Sequence, residues 1–282
     1  MNTPFAARTL IPATLTALLT VCCHMPAHAL LGGTNTTRFG AVGDIGGASG
    51  VLISSGWVLT AAHVAAGLQL NTARFVSPQG SSLIDQVVTF SAESYPNHDI
   101  ALVHLVTPIN GAFPILNDQL IWASQLGTLG TLTAATAQNQ SPNGYGNTTG
   151  FAVLTTSTEG TVTSTVNWLI TKGAVELQGG DSGGALFKGE VTDSAGAVLL
   201  GIASAALDEE KGGAMSGFVQ VAAYKPWIDT TMAQSGQRAQ WASTVPEPST
   251  NAMFWVAGAV GAAGVLRHRR RAAAHSKAAR PQ

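Results

Sequence analysis

Cysteine is nearly absent from this chain of 282 residues. The only two, Cys22 and Cys23, are adjacent and lie near the amino terminus. Adjacent cysteines at one end cannot build a disulfide framework for the rest of the chain. The chain is well above the length at which a core becomes hard to bury, so it does not need such a framework to fold.

Charged side chains are also scarce, at 10% of the composition, and the basic ones are unevenly placed. One lies near the start, six follow residue 266, and seven remain between residues 30 and 250, which hold all fifteen acidic residues. This body of the chain therefore carries a net charge of −8. Nucleic-acid phosphates are bound by basic surfaces, so the charge argues against a nucleic-acid partner.

The pattern of apolar residues favours short strands over long helices. Few charges with abundant Gly, Ser, Thr, Ala and Val are typical of strands joined by turns. Ser49–Thr60 has the pattern of a hairpin with a Ser-Ser-Gly turn. Further short apolar runs cover residues 82–90, 100–106, 126–133, 151–156, 161–169, 198–203 and 217–221. The pattern predicts an all-β barrel or sandwich, with one helix over residues 222–234.

The first 29 residues have the three parts of a secretory signal peptide. Arg8 is followed by an apolar run from Leu10 to Val21, and Ala27-His28-Ala29 supplies small residues at the end. Cleavage is predicted after Ala29. The alternative is an amino-terminal membrane anchor, but the run is short for a span and is interrupted by threonines.

The other end of the chain changes composition abruptly. Residues 234–250 are rich in Ser, Gln, Thr and Pro, which predicts a linker, and they contain Pro246-Glu247-Pro248. An apolar stretch from Ala252 to Leu266 and a cluster of arginines up to Arg271 follow. The body that folds is then predicted to span about residues 30–233.

This order of features resembles the PEP-CTERM sorting signal of Gram-negative bacteria, which an exosortase-type membrane peptidase reads. The resemblance implies that residues 251–271 form a transient transmembrane sorting segment with its basic cluster, and that residues 272–282 are a cytoplasmic tail. It also implies export across the inner membrane to the periplasm, the cell surface or the extracellular matrix. Signal peptidase and the exosortase would be processing partners. The alternative is an ordinary carboxy-terminal anchor.

Three short motifs contain the residue types of nucleophilic catalysis. They are Thr60-Ala61-Ala62-His63, His98-Asp99-Ile100-Ala101-Leu102 and Gly179-Gly180-Asp181-Ser182-Gly183-Gly184. A serine between glycines on a sharp turn exposes its hydroxyl beside backbone N–H groups. Histidine, aspartate and serine follow each other here in one of the orders known for catalytic triads. Each residue alone also fits a structural role, but the ordered set predicts acyl transfer.

The same motifs resemble those of trypsin-like (chymotrypsin-fold) serine proteases. Ser54–His63 is similar to the histidine motif of that family, and the other two segments are similar to its aspartate and serine motifs. Weaker similarity is found in Gly144-Tyr145-Gly146 and in Tyr224–Ile228. The resemblance implies two packed antiparallel six-stranded β-barrels with a short C-terminal helix. The implied bounds are about 30–122, 123–221 and 222–234.

Site roles follow from the resemblance. It implies a serine endopeptidase that acts on protein or peptide substrates as a monomer, with the triad in the cleft between the barrels. Ser182 would be the nucleophile, His63 the general base and Asp99 the residue that orients His63. The backbone N–H groups of Gly180 and Ser182 would form the oxyanion hole. His98 and His104 lack metal-ligand spacing to a second cluster, so neither a metal nor a cofactor is expected.

The resemblance also suggests how the site is activated. In this family a free amino terminus pairs with the aspartate that precedes the nucleophile. Leu30-Leu31-Gly32-Gly33 follows the predicted cleavage site directly, so export would free the α-amino group of Leu30 to pair with Asp181. The alternative is that Leu30 and Leu31 belong to a first strand and that Asp181 pairs elsewhere.

Substrate preference is implied by two further positions. An ungapped count places Glu176 at the base of the primary specificity pocket, where a carboxylate would select Lys or Arg. Glu176 as a surface residue is the alternative. Ser204, in Gly201-Ile202-Ala203-Ser204, would lie in the strand that pairs with the substrate backbone and near Asp99.

Two other functions compete with a protease. The first is a catalytically silent binding protein of the extracellular matrix, which would need none of the three motif residues. The second is an esterase, although the chain lacks the strand-helix alternation of α/β-hydrolases.

Overall fold

The computed structural model describes residues 30–242, apart from 93–94, 139–142, 160–161 and 210–212. The predicted signal peptide, the Pro-Glu-Pro motif, the apolar segment and the basic cluster lie outside the described residues. Within residues 30–242 as described, no helix is both long and apolar enough to cross a membrane.

Strands make up about half of the described chain. They are β1 (Thr34–Thr36), β2 (Val42–Ile45), β3 (Ala48–Ser54), β4 (Trp57–Thr60), β5 (Arg74–Ser77), β6 (Gly80–Thr89), β7 (Ala101–Leu105), β8 (Ile115–Asn117), β9 (Thr131–Thr136), β10 (Asn143–Glu159), β11 (Val162–Gly173), β12 (Ala185–Lys188), β13 (Val198–Glu209), β14 (Gly213–Gln220) and β15 (Trp241–Ala242). The helices are α1 (Ala62–Ala65), α2 (Lys225–Ala233) and two 3-10 turns at Ala123–Thr128 and Val221–Tyr224.

Six strands of the first half close into a barrel in the order β2-β3-β4-β7-β6-β5. Every neighbouring pair is antiparallel. Its interior is filled by side chains such as Ile45, Leu52, Phe75 and Val103. Burial of these apolar surfaces is the main force that holds a barrel without cross-links.

A second ring of six strands runs in the order β12-β9-β10-β11-β14-β13, and the pairing of β12 with β13 closes it. All six pairings are antiparallel. Leu132, Leu177, Leu186 and Phe218 pack inside it. The predicted fold of two antiparallel six-stranded barrels is therefore confirmed.

The two barrels share a third apolar cluster. It joins Trp57 and Ile100 of the first barrel to Trp168 and Phe187 of the second. Strands from one half also cross to the other, since β1 pairs with β10 and β8 lies parallel to β13. The barrels are thus fixed against each other, and residues from both can meet in one cleft.

The C-terminal helix forms where the sequence predicts it. The 3-10 turn leads into α2, with Pro226 in its first turn, where a missing N–H costs nothing. The buried side of α2 is provided by Ile228 and Met232.

Residues 235–242 pack against the barrels, although their composition predicts the start of a linker. The side-chain oxygen of Gln237 accepts hydrogen bonds from Ser54 Oγ at 2.6 Å and from the Gly56 N–H at 3.2 Å. Trp57 Nε1 donates to Ser235 Oγ at 2.8 Å, and β15 pairs with β8. Ser235 and Gln237, whose polarity is typical of a linker, instead form hydrogen bonds with the β3–β4 hairpin.

Candidate active site

His63 and Asp99 are brought together by the pairing of β4 with β7. His63 lies in α1, just after β4 ends, and Asp99 lies two residues before β7 begins. Because Thr60 is opposite Ala101 in the antiparallel pair, the two loops leave the sheet side by side. His63 Nδ1 is 2.8 Å from Asp99 Oδ2, and the His63 backbone N–H donates to Asp99 Oδ1 at 2.9 Å.

The Asp99 carboxylate is fully buried and accepts a third hydrogen bond, from Ser204 Oγ at 2.5 Å. An ionised carboxylate only accepts, so the His63 nitrogen that faces it carries a proton. The other ring nitrogen, Nε2, is then the one with a free lone pair. The imidazole is 34% exposed, which leaves that nitrogen accessible from the cleft.

Tyr224 packs behind this pair. Burial, and after it the negative charge of Asp99, raise the pKa of the Tyr224 phenol, so its hydroxyl stays protonated. The hydroxyl is 3.2 Å from His98 Nδ1. His104, the other histidine near the aspartate strand, contacts Asp85 Oδ1 at 2.7 Å. Both histidines have local partners, and among the described residues no group of ligand side chains is placed to hold a metal.

The turn that carries Ser182 is anchored to the strand that carries Ser204. The Gly183 N–H donates to the Ala203 carbonyl at 2.7 Å, and the Ala203 N–H donates to the Gly184 carbonyl at 2.8 Å. From the first barrel, the Ser49 N–H donates to the Ser182 carbonyl at 2.8 Å. These contacts join the turn with Ser182 to Ala203, whose neighbour Ser204 is bonded to Asp99.

Glycine is required at residue 183 of this turn. Its φ is +85°, a region that other residues rarely adopt. A Cβ there would also overlap the Ser49 carbonyl oxygen and Thr60 Oγ1. The glycine after the serine therefore lets the second barrel approach β3 and β4 of the first barrel closely.

Two backbone N–H groups beside Ser182 remain available. Among the described residues, neither the Gly180 nor the Ser182 N–H donates to a protein acceptor. Gly180 has a φ of +98°, a backbone conformation that residues with a side chain rarely adopt. Free N–H groups next to a nucleophile can stabilise negative charge on a bound carbonyl oxygen.

Asp181, the residue before Ser182, is fully buried. Its Oδ1 accepts from the Leu30 N–H at 3.0 Å and from Thr136 Oγ1 at 2.8 Å, and its Oδ2 accepts from the Gln178 N–H at 2.8 Å. Burial raises the pKa of this carboxyl, and the hydrogen bonds from Gln178, Thr136 and Leu30 partly offset that rise. In the described chain the Leu30 nitrogen is a peptide nitrogen, which carries no charge.

Leu30 is held on both sides of this contact. Its side chain is 1% exposed and packs with Leu177 and Val175 in the second barrel. The next residue, Leu31, forms two backbone hydrogen bonds with Glu176, at 3.0 and 3.1 Å. β1 begins only at Thr34, so the Leu30 nitrogen reaches Asp181 from a segment that precedes the first strand.

The sequence that forms the two barrels matches the model of a known family. Residues 34–228 match the family model described as Trypsin. The chain belongs to the trypsin family. No curated protein matches the chain. The matched range begins at β1 and ends inside α2, so the trypsin domain comprises both barrels and the cleft between them.

The cleft of this trypsin domain contains a cavity of about 360 Å³ beside His63. It is lined by His63, Tyr95, Ser204, Ala205 and Ala206. Glu176 lies on a neighbouring segment: its backbone bonds to Leu31, and Leu177 after it donates to Ser216 Oγ at 3.0 Å. Ser204 is therefore joined by a hydrogen bond to the His63–Asp99 pair. Glu176 is instead joined, through its backbone, to the segment that contains Leu30 and Leu31.

Several residues of this trypsin-domain cleft have no sequence motif. Tyr95 lies in the loop before Asp99, with its ring 6.0 Å from the His63 ring between centroids. Ser49 and Thr136 contact the serine turn from strands β3 and β9. Tyr95 could have been suggested only by its place as an aromatic residue shortly before the aspartate motif. Nothing in the sequence around Ser49 or Thr136 indicates that they contact the serine turn.

Proposed function

We propose that this trypsin-family chain is an exported serine endopeptidase that cleaves peptide bonds through an acyl-enzyme at Ser182. The observation that carries the proposal is the His63 Nδ1 to Asp99 Oδ2 contact of 2.8 Å, with Ser204 bonded to the same carboxylate. A buried carboxylate that fixes one histidine tautomer is what a general base needs. A binding protein would have no use for it.

In the first half of the reaction, Ser182 Oγ forms a bond to the peptide carbonyl carbon while its proton passes to His63 Nε2. The bond between carbon and nitrogen then breaks, and His63 gives the proton to the leaving amine. Asp99 stays ionised and stabilises the protonated imidazole. In the second half, water replaces the amine: it attacks the ester, His63 takes its proton, and the proton returns to Ser182 Oγ.

The negative charge on the carbonyl oxygen is stabilised by the N–H groups of Gly180 and Ser182. Such donors are pre-oriented and need no rearrangement during the reaction. One donor of this kind typically lowers the barrier by about 3 kcal/mol.

Cleavage of the leader after Ala29 supplies the activating charge in this proposal. It would convert the Leu30 nitrogen from a neutral amide to an ammonium group 3.0 Å from Asp181 Oδ1. No separate propeptide is then required. Support comes from the burial of both residues and from the agreement of the cleavage site with the residue that contacts Asp181.

The cellular location of the enzyme is proposed from the sequences of its two ends. The leader directs export, and the Pro-Glu-Pro motif, apolar segment and arginine cluster direct sorting to the cell surface or matrix. Mass determination of the protein from the surface fraction tests this, because it shows whether the chain begins at Leu30 and whether the tail has been removed.

A fluorophosphonate probe tests the catalytic proposal. The purified protein is expected to be labelled at Ser182 alone, and Ser182→Ala is expected to abolish both labelling and peptide hydrolysis. Ser81→Ala, which changes an exposed serine of β6, is the matched control and is expected to label as the unmodified chain does. Absence of Ser182-dependent labelling would favour a binding protein of the matrix.

The cavity beside His63 predicts a preference for bulky apolar side chains next to the scissile bond. The small side chains of Ala205 and Ala206 leave space along β13, and Tyr95 adds an aromatic ring to the lining. Burial of one large apolar side chain contributes about 1.5 to 3 kcal/mol, roughly 10- to 100-fold in kcat/KM.

Filling the cavity tests this preference. Ala205→Trp is expected to lower kcat/KM about tenfold or more for peptides with Leu or Phe at the position that enters the cavity. Otherwise identical peptides with Gly there serve as the control and are expected to change little. If Ala205→Trp lowered kcat/KM equally for the Leu or Phe peptides and for the Gly peptides, the bulky substrate side chain would not bind in this cavity.

A further inference from the structure

Gln138 contacts the peptide unit next to the oxyanion donor. Its side-chain Nε2 donates to the Gly179 carbonyl oxygen at 2.5 Å. The Gln138 side chain is largely buried, whereas Gly179 is exposed. A buried amide therefore reaches out and holds the carbonyl of an otherwise exposed turn.

The position of Gln138 is set by the residue before it. The Ala137 N–H donates to Ser49 Oγ at 2.9 Å, and Ser49 Oγ donates to the Ala137 carbonyl at 2.6 Å. The backbone N–H of the same Ser49 donates to the Ser182 carbonyl at 2.8 Å. One buried serine of the first barrel thus fixes both the segment that carries Gln138 and the segment that carries the nucleophile.

This contact fixes the direction of the Gly180 N–H. In a trans peptide the carbonyl of one residue and the N–H of the next point to opposite sides. With the Gly179 carbonyl held by Gln138, the Gly180 N–H must point away from Gln138. A rotation of this peptide would leave the Gly179 carbonyl without the Gln138 donor and turn its oxygen to the side that the N–H now occupies.

The absence of a side chain at Gly180 also allows the close approach of Gln138. A Cβ on Gly180 would overlap the Gln138 amide, and the φ of +98° is left-handed. Only glycine lets the Gln138 amide lie against this peptide. Since the Gly180 N–H has no protein acceptor among the described residues, it is free to bind a substrate oxygen.

We infer that Gln138, held in place by Ser49, is a positioning residue that keeps the Gly180 N–H directed at the oxyanion. The inference rests on the proposed endopeptidase function and concerns the same site. Gln138 touches neither the nucleophile nor the reacting carbonyl, and it acts through the Gly179–Gly180 peptide.

The test uses Gln138→Ala and Gln138→Glu in the full mature enzyme. Glutamate keeps the size of the side chain, but its carboxylate donates no hydrogen bond and repels the Gly179 carbonyl. Both variants are expected to lose about 10- to 100-fold in kcat with KM nearly unchanged, the range expected when a buried polar partner is removed and an oxyanion donor is misdirected.

A matched pair of inhibitors separates positioning from general damage. A peptide aldehyde forms a tetrahedral adduct whose oxygen binds the oxyanion hole, whereas the corresponding peptide alcohol does not. Both variants are expected to weaken the aldehyde at least tenfold and to leave the affinity for the alcohol unchanged. Equal losses for both inhibitors, or a kcat equal to that of the unmodified enzyme, would overturn the inference.

Gln220→Ala is the control. Gln220 is also buried and holds a backbone segment, with its amide bonded to the N–H and carbonyl of Ile121 at 2.8 and 3.1 Å. It is expected to lower the melting temperature without changing the ratio of aldehyde to alcohol affinity. If the unmodified enzyme itself fails to react with fluorophosphonate, the proposed function fails; if it reacts and Gln138→Glu behaves identically, only the role of Gln138 fails.

Discussion

Asp99→Asn is expected to lower kcat for peptide hydrolysis about ten-thousandfold at neutral pH, with little change in KM. Asp99 Oδ2 accepts hydrogen bonds from both His63 Nδ1 and Ser204 Oγ, and Oδ1 accepts from the His63 N–H. An asparagine that keeps its oxygen on the backbone N–H places its NH₂ group against His63 Nδ1. That nitrogen must then accept, so the proton moves to Nε2 and His63 can no longer take one from Ser182.

The chain provides a matched control for this substitution. Asp85 contacts His104 Nδ1 at 2.7 Å, but its carboxylate is 38% exposed, whereas that of Asp99 is fully buried. Asp85→Asn makes the same chemical change in a second Asp–His pair and is expected to leave kcat within about twofold, since exposed pairs contribute little. If Asp99→Asn retained activity comparable to Asp85→Asn, His63 would not be the general base.

The second large effect concerns the amino terminus. A chain that begins at Leu30 is expected to be about a hundredfold more active than one that retains Ala29, and to melt about 6 to 12 °C higher at pH 7. The reason is the buried Asp181 carboxylate, whose contact at Leu30 is an ammonium in the first chain and a neutral amide in the second. A buried charge without its partner costs about 3 kcal/mol or more.

The difference between these two chains is expected to depend on pH in both directions. With the neutral amide, burial raises the pKa of Asp181, so the stability contributed by its protonated form is present below pH 3.8 and is lost as the pH rises through the folded pKa. The ammonium opposes this loss at neutral pH. The difference in melting temperature should therefore shrink in acid, where Asp181 is protonated, and again above about pH 8, where a free amine loses its proton.

Asp181→Asn in both chains isolates the pair. Once the carboxylate is gone, an ammonium at Leu30 has no opposite charge, and the advantage of the chain that begins at Leu30 is expected to disappear. A difference that persisted in the Asp181→Asn variants, or that did not vary with pH in the unsubstituted chains, would mean that Leu30 acts through packing alone.

The sequence predicted those parts of the site that depend on neighbouring residues. His63 follows a strand and Asp99 precedes one, so local motifs locate both, and the pairing of β4 with β7 brings them together. Leu30-Leu31-Gly32-Gly33 likewise draws attention to Leu30, whose peptide N–H donates to Asp181 in the structure, while the ion pair itself stays a prediction. Each residue is found from a motif of a few neighbouring residues, although the contacts between them span 36 and 151 positions.

The residues that sequence reasoning missed act across long separations. Ser49 contacts Ala137, 88 residues away, and Gln138 contacts Gly179, 41 residues away. Neither has a motif, because any small hydroxyl or amide at that place could make the bond. Their role depends on how two barrels meet, which local pattern does not encode.

Strand boundaries were least predictable where glycine and threonine replace apolar residues. The run 126–133 was expected as one strand, but Ala123–Thr128 is a 3-10 turn and β9 begins at Thr131. Glycines at 127 and 130 interrupt the run, and Gly130 has a φ of +65°. β10 begins at Asn143, eight residues before the expected start at 151, because its first half pairs with β1 and β9 without an alternating apolar pattern.

If the carboxy-terminal segment is held in a membrane, as the proposed sorting signal implies, the attachment of β15 has a mechanical consequence. Ala242 precedes Pro246 by only four residues, so tension on the tail reaches β15 first. There it loads the Leu116–Gln240 and Asp118–Ala242 backbone bonds and the Trp241 Nε1 bond to Asp229 in parallel, because β15 and β8 run side by side. Under such a load these bonds would have to yield together before β15 separates from β8.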